Sequence, residues 1–104
     1  MRKGEWTFLS NHGRVFVYLA KHPKSTSQEI AQEANLSIRT VQNIIDELEI
    51  KGYVARQKEG RCNRYTVHPE LPMRHKLEKD HSVGEILRVL GGREEELYRL
   101  QRQN

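Results

Sequence analysis

Residues 25–69 read STSQEIAQEANLSIRTVQNIIDELEIKGYVARQKEGRCNRYTVHP, and the spacing of their apolar residues changes at Gly52. Before it, Ile30, Ala31 and Ala34, then Val41, Ile44, Ile45 and Leu48, recur at helical spacing. Thr26 followed three residues later by Glu29 fits a capping box, in which hydroxyl and carboxylate each satisfy a free backbone N–H. That predicts a helix from Ser27 to about Ala34. Asn35 and Leu36 make a tight turn, and Ser37 caps a longer helix that runs to Lys51 and stops at Gly52. Beyond Gly52, residues 53–58 read as a strand, 59–61 as a turn and 63–67 as the returning strand.

Working outward, Ser10 or Asn11 caps a further helix ending near His22, where Pro23 stops it. Its apolar face is Val15 and Leu19 with Phe16 or Tyr18. Trp6, Phe8 and Leu9, in the lead-in, are expected to pack onto the domain. On the other side, Pro69 and Pro72 open a polar loop reaching His81. Ser82 and Glu85 repeat the capping signature before a helix with Val83, Ile86, Leu87 and Leu90 on one face. Gly91-Gly92 would cost an unbroken helix about 2 kcal/mol relative to alanine, so two short helices are preferred, residues 93–103 forming the second or fraying. The fold class is mainly α with a small β-hairpin: a three-helix core, the two-stranded hairpin, and an additional C-terminal helix or helices. Residues 1–69 form the domain and 70–104 a loop and helical segment.

The net charge is +4 over 104 residues. Lys51, Arg56, Lys58, Arg61 and Arg64 against Glu59 give the stretch 51–64 a local excess of the same size. A basic excess confined to one hairpin favours an anionic partner. The single cysteine excludes an intramolecular disulfide, and no apolar run is long enough to span a membrane. A cytoplasmic location is the default. The five histidines and Cys62 do not fall at metal-ligand spacing, so no metal and no cofactor is expected. Cys62 is weighed as a redox switch flanked by Arg61 and Arg64, and the reading as a strand cysteine without a role is favoured. No nucleophile–base pair, phosphate loop or carboxylate pair points to an enzyme. Tyr53 and Tyr65 are the hairpin's only candidate base-stackers, which argues against RNA.

Helix, short helix, tight turn, longer helix and basic hairpin is an order with a function. In a helix-turn-helix the first helix braces the second, which lies in the major groove. Ala31 and Ala34 are small enough for the crossing. Arg39, Thr40, Gln42 and Asn43 face outward, with no acid before Asp46; these residue types read guanine, thymine methyls or phosphate, and adenine. The "LSIRTVQNIIDELEIKGYV" run and the "EGRCNRYTV" hairpin resemble the winged helix-turn-helix core of MarR-like and ArsR-like transcriptional regulators. The resemblance implies that helix Ser37–Lys51 enters the major groove, with Ser37, Arg39, Thr40, Gln42 and Asn43 as contacts. It implies too that the hairpin is a wing reaching backbone or minor groove through Lys58, Arg61, Asn63 and Arg64. The thiol-rich metal-sensing motif of some ArsR-like repressors is absent from residues 40–48, and no small-molecule effector is assigned.

The expected partner is double-stranded DNA, with a second copy of the chain. The stripe Val83, Ile86, Leu87 and Leu90 is read as the dimerisation face, because three helices and a hairpin already close a core of this size. The alternative reading is a winged helix used for protein–protein interaction or assembly, without sequence-specific DNA binding.

Overall fold

The computed structural model describes residues 6–90. Four helices and one hairpin follow in chain order: α1 (Asn11–Lys21), α2 (Ser27–Ala34), α3 (Ile38–Ile50), β1 (Val54–Glu59), β2 (Cys62–Val67) and α4 (Val83–Leu90).

Each helix starts where a side chain satisfies an otherwise free N–H. The Ser10 hydroxyl accepts from Gly13 N–H at 3.2 Å and opens α1. The Thr26 hydroxyl accepts from Glu29 N–H, and the Glu29 carboxylate accepts from Thr26 N–H, both at 3.1 Å, so the capping box is complete. Ser37 accepts from Thr40 N–H at 3.0 Å. Asn35 turns the chain between α2 and α3 in the left-handed conformation, with φ 57°, which asparagine tolerates better than most residues. Gly52 does the same after α3 with φ 84°.

The core is one cluster. Val15, Phe16 and Leu19 of α1 meet Ile30 and Ala31 of α2 and the stripe Val41, Ile44, Ile45 and Leu48 of α3. Fully burying a side chain the size of Leu19, Ile30 or Ile45 contributes roughly 1.5–3 kcal/mol. Val54 and Tyr65 close the base of the hairpin, whereas β1 is exposed from Ala55 outward. The strands pair antiparallel from Val54↔Val67 to Glu59↔Cys62. A backbone bond from Tyr65 N–H to Pro23 O, 2.8 Å, ties β2 to the α1–α2 connection.

Two expectations are corrected. Trp6 and Phe8 do not pack on the core: they are 69% and 93% exposed and meet each other edge-to-face at 4.9 Å. Leu9 alone is half-buried, and a Cβ on Gly13 would lie 3.3 Å from its Cβ. The second correction concerns α4. Leu87 is wholly buried in the same core as α1–α3, with Val83 packed against it, so that core is not closed by three helices and a hairpin.

The docking of α4 depends on the loop before it. Val83 N–H donates to Leu71 O at 2.9 Å and Gly84 N–H to Pro69 O at 2.8 Å. The approach is too close for a side chain: a Cβ on Gly84 would sit 2.7 Å from Pro69 O. The Glu85 carboxylate accepts from Ser82 N–H at 2.8 Å, as the capping signature required. Helix α4 is described as far as Leu90; Gly91-Gly92 and the expected second helix, residues 93–103, lie outside the described residues.

Candidate nucleic-acid interface

The four residues Arg39, Gln42, Asn43 and Asp46 lie on α3 at the i, i+3, i+4, i+7 spacing of a single helix face, and all four are exposed. The opposite face is buried. The first turn of α3 carries no acidic residue, so its free N–H groups and positive helix end are open to an anion. At that end the Ser37 hydroxyl accepts from Thr40 N–H and lies 2.8 Å from Thr40 Oγ1, to which it donates. Ser37 is thereby occupied as the cap. The Thr40 hydroxyl accepts from it and keeps its own proton for an outside acceptor.

The second half of α3 is acidic, and side chains of other elements pair with its carboxylates. Arg56 Nη2 lies 2.9 Å from Asp46 Oδ1 and 3.3 Å from Glu49 Oε1, and His12 Nε2 lies 3.2 Å from Glu47 Oε1. The guanidinium of Arg56 also sits 5.8 Å from the centre of the Tyr65 ring. The polar surface free of acidic residues is the N-terminal half of the helix, residues 37–43.

The hairpin beside it is not uniformly basic. Opposed residues of an antiparallel pair share a face, and alternate residues switch faces. The register Lys58↔Asn63 and Arg56↔Tyr65 puts Lys58 and Asn63 on the side of the buried Tyr65. The register Gln57↔Arg64 and Glu59↔Cys62 puts Arg64 on the other side, with Glu59 and the exposed Cys62. Arg61 occupies the turn, next to Gly60 with φ 62°. The four wing residues named from sequence are therefore divided between two faces and a tip.

Glu59 changes the charge pattern further. Its carboxylate holds Lys24 Nζ at 3.2 Å and Arg64 Nη1 at 3.6 Å. Mainly through the hydrogen bond and charge of Lys24, this pair of cations keeps the Glu59 carboxyl below its ordinary range. Lys58 and Arg61, by contrast, are exposed and without an ion-pair partner among the described residues.

Two residues were not selected from sequence. Ile38, 45% exposed, stands beside Arg39 at the start of α3, as an apolar group suited to a thymine methyl. Its spacing to Val41 and Ile45 reads as core, which hid it. Lys24, in a connecting loop, has no periodic signal at all; only the fold brings it to Glu59.

Among the described residues no helix is long and apolar enough to cross a membrane, and no group of three or more His, Cys, Asp or Glu side chains is placed to hold a metal.

The family model described as sugar-specific transcriptional regulator TrmB matches residues 8–71, which span α1 through the end of the wing. The chain is 33% identical over 66 residues to the uncharacterized protein MJ1254 of Methanocaldococcus jannaschii. That match covers 62% of this chain and only 14% of the relative's length. Among solved structures, MepR, a transcription regulator of the Staphylococcus aureus multidrug efflux pump MepA, superposes with a TM-score of 0.51. The superposition covers 57% of this chain and 46% of MepR at 24% identity, and it shows the shared winged-helix fold. The zinc-dependent MarR family regulator AdcR, in its Zn(II)-bound state, gives a TM-score of 0.46 at 21% identity, over 65% of this chain and 49% of that one.

Proposed function

The chain belongs to the TrmB family of transcriptional regulators, and from that premise we propose that it binds double-stranded DNA sequence-specifically, as a homodimer. The N-terminal half of α3 enters the major groove, where Arg39, Gln42 and Asn43 meet base edges and Thr40 meets backbone or a thymine methyl. Ser37 holds the helix end that faces a phosphate. The wing follows the flanking backbone or minor groove through Lys58, Arg61, Asn63 and Arg64. The second subunit is held through the exposed end of α4.

One observation carries this reading: an acid-free, exposed half-helix lies beside a hairpin with cations at its tip and on both faces. A hairpin with cations on both faces suits a groove walled by phosphates on two sides. An ordinary solvated helix has no reason to confine its acids to its second half, where Arg56 of β1 meets two of them.

The test is selection of bound sequences from a random duplex pool, followed by titration at several salt concentrations. Enrichment of a two-fold symmetric site, with affinity falling steeply as salt rises, is the expected result. Failure to enrich any sequence, with binding absent at low salt, would favour the protein-assembly reading instead.

A further inference from the structure

We propose that the Glu59 carboxylate is an internal stand-in for a DNA phosphate, and that Lys24 is a backbone-contacting residue released when duplex displaces it. The inference rests on the DNA-binding reading and adds to it a residue outside both α3 and the wing.

Lys24 lies in the α1–α2 connection, between α1 and the capping residue of α2. Arg64 lies on β2. The two reach one carboxylate, Lys24 Nζ on Oε1 at 3.2 Å and Arg64 Nη1 on Oε2 at 3.6 Å. Two cations from different elements converging on two oxygens of one anion is the arrangement that a phosphate's non-bridging oxygens would satisfy. The backbone bond from Tyr65 N–H to Pro23 O fixes the strand and the connection against each other, so the two cations stay near one another if Glu59 leaves. All three side chains are roughly half or more exposed: Lys24 64%, Glu59 48% and Arg64 51%. Water screens such pairs and makes them weak, so an incoming polyanion can replace the carboxylate. The lowered pKa of Glu59 is consistent with a carboxylate already held by cations at neutral pH.

In the free protein, Glu59 therefore masks two positive charges next to the wing tip. Duplex binding exchanges the carboxylate for phosphate, which weakens binding to every sequence by the same factor and leaves base preference unchanged.

Three variants and a control test this. Glu59→Gln should bind duplexes of any sequence roughly three- to tenfold more tightly, the range expected from removing two exposed competing ion pairs. Lys24→Gln should reduce the slope of log K against log salt by about 0.9, the signature of one lost phosphate contact. Lys24→Gln combined with Glu59→Gln should lose part of the gain from Glu59→Gln. Glu78→Gln removes an equal charge from the loop before α4 and should leave affinity near that of the unmodified protein. Thermal melts would verify that every variant folds.

If Glu59→Gln weakens binding, the carboxylate is a strut for the wing and the proposal is wrong. It is equally overturned if Lys24→Gln leaves the salt slope unchanged, or if Glu78→Gln gives the same gain. Absence of duplex binding by the unmodified protein would instead remove the underlying function.

Discussion

Arg56 on β1 donates to Asp46 on α3 across 2.9 Å, joining the root of the wing to the middle of the recognition-type helix. The same guanidinium reaches Glu49 and lies over the Tyr65 ring. It ties the wing to the helix, and it sits where a basic residue in a basic hairpin is most easily mistaken for a DNA contact. Its charge is already used.

For this reason Arg56→Ala should reduce affinity by changing the attitude of the wing while leaving the salt slope intact. Loss of the ion pairs should lower stability by roughly 0.5–1 kcal/mol. Arg56→Lys should recover part of the loss, because one ammonium can meet both carboxylates that Nη2 meets but lacks the planar guanidinium that lies over the Tyr65 ring. Denaturant melts and salt titrations separate the effects; a slope reduced by about 0.9 would mean that Arg56 touches the backbone.

Arg39→Ala and Gln42→Ala should act differently from Arg61→Ala. The first two are exposed on α3 and should relax base preference, each by ~1–3 kcal/mol of discrimination. Arg61, at the turn and without an ion-pair partner among the described residues, should lower affinity for all duplexes alike and take about 0.9 from the salt slope. Selection from a random pool with each variant reads both quantities. Unaltered preference in the two helix variants would remove α3 from the groove.

What was legible in the sequence was what local chemistry determines. Thr26 with Glu29, Ser37 and Gly52 each act within one turn of chain, and the elements they bound were placed within a residue or two. The candidate interface was legible in residue type but not in charge. Arg64 and Lys58 count equally in composition, yet the strand register sends them to opposite faces, and only Arg64 meets Glu59. Lys24 joins that pair across 35 residues of chain, a distance that no spacing rule spans. Leu87 is ambiguous for a similar reason: its stripe looks the same whether its partner is another chain or its own α1.

The buried position of Leu87 gives a stability prediction. Leu87→Ala should destabilise the domain by roughly 2–5 kcal/mol, as for other buried leucines. Gly84→Ala should cost roughly 1–3 kcal/mol, because its Cβ must push α4 off Pro69 O. Truncation after His81 removes Leu87 entirely and should lower the melting temperature rather than leave an intact monomer. Calorimetry of the three proteins decides it; an unchanged melt after truncation would mean that α4 adds nothing to the core.

The start of α4 should also respond to pH. His81 Nδ1 lies 2.9 Å from Glu85 Oε1, and this hydrogen bond, with the carboxylate's charge and that of Asp80, raises the His81 pKa above its ordinary 6.5. The hydrogen bond from His81, then the Ser82 N–H, lower that of Glu85 below 4.5. A raised histidine contributes fully below its unfolded value and loses that contribution as pH rises through its folded value. A lowered carboxylate contributes above its unfolded value and loses it as pH falls through its folded value. Both contributions are therefore complete between 4.5 and 6.5. Both groups are exposed, so the effect is small and local. Amide exchange in the first turn of α4 should speed up as pH rises beyond that window, after correction for the intrinsic rate, and His81→Gln should abolish the dependence.

The proposed dimer would rest on a smaller set of side chains than the stripe Val83, Ile86, Leu87 and Leu90. Leu87 is closed to a partner and Val83 is partly so, while Ile86 is half-buried. Val89 and Leu90, 79% and 45% exposed, remain available at the end of α4. Charges there would enter a dry interface in the dimer and cost nothing comparable in a monomer. Val89→Asp with Leu90→Asp should therefore separate the subunits without unfolding them, in contrast with Leu87→Ala. The variant should bind a single half-site weakly, since two linked half-sites multiply affinity through their effective concentration. Sedimentation equilibrium gives the state, circular dichroism the fold, and titration with one-half-site and two-half-site duplexes the consequence. A dimer that survives both aspartates would place the interface away from α4.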